Sequence, residues 1–260
     1  MESVRRREIL IVLPAYNEGE NIGELLDQIR ENLDLETQIK YRIFLVDDGS
    51  VDDTLSIARQ KSAIMPITII QHEQNQGLGA TIRDGLYEAV NYSKPKDIVV
   101  TMDADATHNP GLILRMTRMI VEGYDVVIAS RFQPGARVIG LVWHRRMLSF
   151  LASAVFRVMY PIKGVKDYTC GYRAFSADAL KSAIEGYGDK FVDQDGFQCL
   201  VDILLKLRSR KLMFGETPFI LRYDNKKGLS KMNVGRTIRN TMILLVKRKF
   251  IKLEQDKDIR

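Results

Sequence analysis

The sequence predicts an α/β fold with a mostly parallel central sheet in a three-layer arrangement, and three observations carry that prediction. Over the first 130 residues, short apolar runs alternate with amphipathic segments of helical length. Strands separated by helices of that length pair in parallel and build an open sheet covered by helices. Two of the apolar runs end in acidic clusters, Val46-Asp47-Asp48-Gly49-Ser50 and Met102-Asp103-Ala104-Asp105. Residues at the carboxyl ends of such strands lie in the ligand crevice. The chain of 260 residues, 45% hydrophobic and 28% charged, is large enough to bury a full core.

Each element has its own signal. Glu8 to Leu13 reads as a buried strand, and Asn21 to Asn32 as a helix with Ile22, Leu25, Leu26 and Ile29 on one face. Tyr41 to Val46 is the second strand. Asp52 and Asp53 then stand at a helix start, ahead of Leu55, Ile57 and Ala58. Ile67 to Gln71 is a third strand, Leu78 to Tyr92 a helix, and Asp97 to Met102 a fourth strand. Pro110 suits the first turn of a helix running to Glu122, and Tyr124 to Ser130 is the fifth strand. Beyond Arg131 the rhythm changes. Residues 141–160 form one long amphipathic helix, with Leu148, Leu151, Val155 and Val158 on one face and Arg146, Ser149, Ser153 and Arg157 on another. A strand at Tyr172 to Phe175, helices at Ala177 to Ile184 and Phe197 to Leu207, and a strand at Met213 to Tyr223 follow. The last helix, Val234 to Leu253, carries Arg236, Arg239, Lys247, Arg248, Lys249 and Lys252. No repeat or linker divides the chain, so residues 1–235 read as one domain and 236–260 as a basic helical tail.

Composition narrows the function classes. Cys170 and Cys199 are the only cysteines, so no disulfide framework is implied. Arg5-Arg6-Arg7 runs directly into the first strand without a signal-peptide core, which points away from secretion. The longest apolar stretches, such as Phe150 to Phe156, fall far short of the roughly 18 residues that span a bilayer. The expected setting is therefore the cytoplasm, without a transmembrane segment. A net charge of +6 favours an anionic partner. That partner is not nucleic acid: no reader motif occurs, and aromatic residues do not alternate with basic ones in a stacking platform.

The chemistry concentrates in a few places. Leu13-Pro14-Ala15-Tyr16-Asn17-Glu18 ends the first strand, with Tyr16 able to stack on a flat ring and Glu18 able to accept from ribose or base donors. Asp48 is a second candidate for sugar or base recognition. Asn75-Gln76-Gly77-Leu78-Gly79 precedes a helix but lacks dinucleotide or Walker spacing, so close backbone packing near the ligand is preferred over phosphate binding. Asp103 and Asp105 alternate in an extended segment, so both carboxylates can face one Mg²⁺ or Mn²⁺, with the Thr107 hydroxyl as a further oxygen. His108 reads as a packing or hydrogen-bonding residue, because a hard cation prefers oxygen.

Together, Pro14 to Glu18, Asp47 to Ser50, Asp103-Ala104-Asp105 and Ser130-Arg131 resemble family 2 glycosyltransferases of the GT-A fold. Trp143 to Ser149 and Gly228-Leu229-Ser230-Lys231 make the chain similar to the dolichol-phosphate mannose synthase group of that family, over about residues 8–235. The resemblance implies that Pro14, Tyr16, Glu18, Val46 and Asp48 hold the nucleoside, and that Asp103, Ala104 and Asp105 hold the diphosphate and the metal. It implies that Arg131, Arg145 and Ser149 meet the acceptor phosphate, while Arg222 and Lys231 clamp phosphates. Asp105, Arg131 and Arg145 are then the catalytic set. Thr107 stands where many members carry Gln or Ser, and the segment between Arg222 and Gly228 is longer than in some.

Chemical reasoning supports the acceptor class. A departing nucleoside diphosphate gains negative charge, which a divalent cation and Arg or Lys stabilise. A hydroxyl acceptor requires a general base, whereas a phosphate monoester with second pKa near 6 already arrives largely ionised. Arg131, Arg145 and Arg146 lie where the planar fork of arginine would position such a phosphate, although Arg146 and Arg157 read as a solvated helix face. The expected activity is inverting transfer of a hexose, with mannose from GDP-mannose in first place, to a polyprenyl phosphate. The alternative is a UDP-sugar donor and a glycan hydroxyl acceptor, with Asp193 or Asp195 as the base. The 141–160 helix, with Trp143 at one end, fits either an interfacial helix admitting a polyprenyl tail or plain core packing. The basic C-terminal helix fits an anionic membrane surface or a small membrane-anchoring partner protein, or else a solvated cap. The expected location is peripheral, on the cytoplasmic face of a membrane.

Overall fold

The structure is a computed structural model that describes residues 7–34, 39–227 and 234–250. Five apolar runs become the strands that the sequence predicts: β1 (Glu8–Ala15), β2 (Lys40–Asp47), β3 (Ile67–Gln71), β4 (Ile98–Thr101) and β5 (Val126–Ser130). Between them lie α1 (Gly19–Asp34), α2 (Thr54–Ser62), α3 (Leu78–Tyr92) and α4 (Leu112–Val121). The apolar stripe read from the sequence is the buried one in α1, where Ile22, Leu25, Leu26 and Ile29 are all inaccessible. Pro110 lies in the turn ahead of α4 and not inside its first turn, and its carbonyl accepts the Ile113 N–H at 3.0 Å.

The second half holds β6 (Arg137–Ile139), α5 (Trp143–Met159), β7 (Arg173–Ser176), α6 (Ala177–Tyr187), α7 (Gln198–Arg208), β8 (Phe214–Pro218), β9 (Ile220–Arg222) and α8 (Val234–Phe250). Seven strands form one sheet in the order β3-β2-β1-β4-β7-β5-β8. Among the described residues, only β7 runs against its neighbours, wedged between β4 and β5, so the sheet is mostly parallel as expected. Helices flank it: α1 packs beside α2 and reaches the start of α4 through Asn32, while α3 lies on β1 and β2.

The single strand expected from Met213 to Tyr223 is two. Pro218 has no N–H to donate and ends β8. Phe219 then turns into the core against His108 and Tyr172, and β9 leaves to pair with β6, a strand of only three residues. Too short to show a period of two, β6 is absent from the sequence reading.

Helix α5 departs most from expectation. Its inward contacts come from the polar face and one aromatic residue: Ser153 and Phe156 are buried, and Ser149 Oγ meets Thr169 Oγ1 at 3.2 Å. Met147 and Val158 face outward, with Val158 81% and Trp143 76% exposed, while Leu151 and Val155 are only half covered and border a cavity. Plain core packing of that face does not occur among the described residues. Helix α8 buries Leu244 and Leu245, and Arg248 forks onto Asp202 of α7 at 2.7 and 2.8 Å. One basic residue of the expected solvated or membrane-facing set is thus an internal tie. No helix among the described residues is long and apolar enough to cross a membrane.

Candidate active site

A cavity of about 700 Å³ opens at the carboxyl ends of β1, β2 and β4 and runs beneath α5 and α8. One end is polar, lined by Pro14, Tyr16, Glu18, Asp48, Asp103, Ala104, Asp105, Thr107 and Arg131. The other end is apolar, where Leu148, Leu151 and Val155 of α5 face Met242 and Leu245 of α8.

Local chemistry shapes the polar end. Asn17 adopts a left-handed φ of 51°, a conformation that asparagine tolerates. Its N–H donates to Ser50 Oγ and its Oδ1 accepts from the Val51 N–H, both at 2.9 Å, which joins the Pro14–Glu18 turn to the Asp47–Ser50 loop. Asp52, expected at a helix start, accepts from Thr54 N at 3.0 Å with one oxygen and from Gly19 N at 2.9 Å with the other. Asp48 is buried, and its carboxylate accepts from Gln76 N (2.8 Å) and Gly77 N (2.9 Å) and faces His72 Nδ1 at 2.8 Å. Its charge therefore holds the 75–77 loop in place. That loop packs by backbone, as its sequence suggested: Gly79 N donates to Asp195 O at 2.8 Å, and a Cβ on Gly79 would meet Gln194 O at 1.8 Å. Val46 does not reach the cavity lining; it is fully buried in the core, close to Gly85 of α3.

Asp103 and Asp105 converge through a bend at residues 104–106, not through extended alternation, with Ala106 at φ 59°. The bend turns Thr107 back so that its N–H (3.2 Å) and Oγ1 (2.7 Å) both donate to Asp105 Oδ1. Lys226 Nζ lies 2.6 Å from Asp105 Oδ2. Burial pushes the Asp105 carboxyl up, but the Lys226 ammonium, the neighbouring His108 and the bonds from Lys226 and Thr107 outweigh it and leave the pKa below the ordinary value. Asp103 moves the other way: its low-dielectric surroundings raise it, His108 works against that, and Asp105 adds to it. The Asp103 side chain is still 41% exposed. His108 stacks on Tyr172 with ring centroids 4.8 Å apart, and its Nδ1 accepts from the Asp103 N–H at 3.1 Å, so it is a packing and hydrogen-bonding residue.

These groups fit a hard divalent cation. Mg²⁺ is usually held by one or two carboxylates together with substrate phosphates. Among the described residues no cluster of three or more His, Cys, Asp or Glu side chains could hold a metal alone. Asp103 and Asp105 are the two carboxylates placed where such a shared site could form, while the Thr107 hydroxyl donates to Asp105.

Arg131 is the cationic counterpart. Asp167, fully buried, takes its Nε at 2.7 Å and its Nη2 at 2.6 Å, and Nη2 also donates to Thr169 Oγ1 at 2.6 Å. Burial opposes the Arg131 charge, but Asp167 outweighs that and raises its pKa; in return Arg131 holds the Asp167 carboxyl low against burial. Through Thr169 the network reaches Ser149 of α5. Cys170 also lines the cavity, with its thiol pushed up to about 12 by burial.

Not every residue predicted from the sequence arrives here. Arg222 is exposed and forks onto Asp224, outside the cavity lining. Lys231 and the Gly228–Ser230 segment lie outside the described residues, as does the side chain of Arg145. Asp193 and Asp195 do not line the cavity. Asp193 is held by Lys206 Nζ at 2.8 Å; burial pushes its carboxyl up, but hydrogen bonds from Lys206 and Gln194 help bring it down to about 2, which leaves a poor base. The residues missed by sequence reasoning are Asp167, Thr169, His72 and Lys226. Lys226 alone had an available signal, since it lies two residues before the Gly228-Leu229-Ser230-Lys231 motif already singled out.

The signature of glycosyl transferase family 2 matches residues 10–183. The chain belongs to glycosyl transferase family 2. It is 32% identical over 232 residues to the dolichol-phosphate mannosyltransferase of Pyrococcus furiosus, covering 89% of this chain and 60% of that protein. It is 28% identical over 235 residues to the polyprenol monophosphomannose synthase of Mycolicibacterium smegmatis, covering 90% and 83%. It is 31% identical over 232 residues to the undecaprenyl-phosphate mannosyltransferase of Micrococcus luteus, covering 87% and 88%. The chain thus spans about three fifths of the Pyrococcus protein and most of the other two. Among solved structures, glucosyl-3-phosphoglycerate synthase from Mycobacterium tuberculosis, in complex with Mn²⁺, UDP and glucosyl-3-phosphoglycerate, superposes with a TM-score of 0.65 at 21% identity. That match covers 93% of this chain and 80% of the other, and it shows that the fold is of the GT-A type.

Proposed function

We propose that this family 2 glycosyltransferase moves a hexose, mannose from GDP-mannose in first place, to a polyprenyl phosphate with inversion at the anomeric carbon. One observation carries the reading: the acidic end of the cavity continues directly into the apolar groove between α5 and α8. A nucleotide sugar fits the first and an isoprenoid chain the second, with Arg131 at the junction, where a lipid phosphate would stand. The names of the Pyrococcus, Mycolicibacterium and Micrococcus relatives agree with that acceptor class.

In this reading Tyr16 and Glu18 line the nucleoside end, and Asp103 and Asp105 hold a Mg²⁺ or Mn²⁺ against the diphosphate. The cation, when bound, neutralises the charge that grows on the leaving diphosphate. Arg131, steadied by Asp167, directs its remaining guanidinium edge at the acceptor phosphate, with Ser149 beside it and Arg145 on the same helix. A phosphate oxygen attacks the anomeric carbon, and the nucleoside diphosphate departs with the electron pair of the broken bond. The attacking oxygen carries no proton, so no general base is required. The positions of Asp193 and Asp195 outside the cavity favour this over the hydroxyl-acceptor reading.

The outward apolar face of α5, with Arg146 and Arg157 on the same helix, suits a helix lying in the surface of an anionic membrane. The proposed location is therefore peripheral, on the cytoplasmic leaflet, with or without a small anchoring partner. The test is a thermal-shift screen of GDP-mannose, UDP-glucose and UDP-N-acetylglucosamine, each with and without Mn²⁺. A ligand of the folded state raises its melting temperature. The largest rise is expected for GDP-mannose with Mn²⁺; no rise with any donor would defeat the proposal.

A further inference from the structure

We propose that Lys226 is an internal competitor of the divalent cation: its ammonium holds Asp105, and a nucleoside diphosphate must draw it away before the cation gains that carboxylate. The inference rests on the reading of Asp103 and Asp105 as the metal carboxylates, and it adds an order to their use.

Both Asp105 oxygens are engaged, Oδ1 by Thr107 and Oδ2 by Lys226 at 2.6 Å. The ammonium is largely enclosed, with the Tyr223 ring 5.9 Å away and the charges of Asp105 and Glu18 acting on it. Its position comes from a scaffold. The Arg222 N–H donates to Thr107 O at 3.1 Å, which ties the segment to the acidic bend. Next to Lys226, the Lys227 N–H donates to Asn21 Oδ1 at 3.1 Å and Asn21 Nδ2 donates to Lys227 O at 3.2 Å, which ties it to α1. Lys226 is therefore delivered to Asp105 by two backbone anchors.

Two cations on one carboxylate repel each other, and the repulsion is stronger inside a protein than in water. A divalent ion approaching Asp103 and Asp105 meets two negative charges reduced to a net of one by Lys226. A diphosphate changes the balance, because it offers the ammonium a second anionic partner within reach and brings oxygen ligands for the ion. Cation and nucleotide then bind with positive coupling, and the acidic pair does not take up divalent ions tightly by itself.

The experiment is a Mn²⁺ titration of the full chain followed by electron paramagnetic resonance, in which the signal of free Mn²⁺ falls on binding. It is run without nucleotide, with GDP and with UDP, and does not depend on turnover. For the natural chain, weak binding alone and tight binding with one of the nucleotides are expected. Lys226→Gln removes the charge at similar length and should tighten Mn²⁺ binding without nucleotide by at least about fivefold, within the usual range of coupling between sites. Lys226→Arg keeps the charge and should stay weak. Circular dichroism melts establish that both variants are folded. If Lys226→Gln binds Mn²⁺ without nucleotide no more tightly than the natural chain, the inference is overturned, even if its affinity for GDP falls. If the natural chain binds no Mn²⁺ with either nucleotide, the metal reading itself fails and takes the inference with it.

Discussion

Replacing Asp167 with Asn keeps the shape of the side chain and removes its charge, at the residue that holds the proposed acceptor arginine. Asp167 is fully buried and accepts from Arg131 Nε, Nη2 and N, from Thr169 N at 3.2 Å and from Cys170 N at 3.1 Å. An Asn amide presents hydrogens to one of the two guanidinium donors, so the paired fork cannot form. Breaking a buried ion pair by neutralising one partner costs about 3–5 kcal/mol, since the other charge stays buried without its counter-ion. The low end, about 3 kcal/mol, applies here, because Arg131 keeps Thr169 and is 14% exposed. A domain stable by roughly 5–15 kcal/mol survives that loss and can be assayed. A displacement of the guanidinium by about 1 Å costs on the order of 100-fold in rate where position matters. Urea unfolding should therefore show a loss of about 3 kcal/mol. Steady-state kinetics with a short-chain polyprenyl phosphate should show kcat/KM for the acceptor falling about 100-fold, with donor binding unchanged, and Asp167→Glu recovering part of both. Stability within about 0.5 kcal/mol of the natural chain, or equal losses for donor and acceptor, would refute the argument.

Two further outcomes follow from the same structure. Gly79→Ala places a Cβ 1.8 Å from Gln194 O and 2.8 Å from Asp195 Cα, so the backbone must move. It should destabilise the protein by about 1–3 kcal/mol, read as a lower melting temperature, and raise KM for the donor more than for the acceptor. Asp193, held down to about 2, contributes stability that is complete above its unfolded pKa of about 3.9 and is lost as pH falls toward 2. The gap in urea midpoint between the natural chain and Asp193→Asn should be largest near pH 6, shrink as pH falls below about 4, and vanish only below about pH 2; a constant gap would contradict that account.

Much of the fold was legible because β1 to β5 and their helices carry strong periodic signals, and because the acidic clusters fall at strand ends where ligands bind. The acidic end of the cavity was legible for the same reason. What was not legible depends on contacts between distant residues. Asp167 stands 36 positions from Arg131, and nothing near it in the sequence marks it as the partner of that side chain. Asp105 and Lys226 are 121 positions apart. Helix α5 shows clear amphipathicity, but amphipathicity does not say which face turns inward; Ser149 and Phe156 turn inward onto Thr169 and Tyr168 of a later loop, contacts the sequence does not mark. The sequence reading of Val46 and Arg222 followed motif position alone, and the folded chain buries the first in its core and pairs the second with Asp224.

The central claim is that the two ends of one cavity hold a nucleotide sugar and a lipid phosphate. It is tested most directly by incubating the purified chain with radiolabelled GDP-mannose, Mg²⁺ or Mn²⁺ and a polyprenyl phosphate in detergent, then measuring label that partitions into organic solvent. The account predicts a labelled lipid whose formation needs the divalent ion and disappears in Asp105→Asn. Label remaining entirely in the aqueous phase, with GDP-mannose and with the UDP-sugars alike, would contradict it.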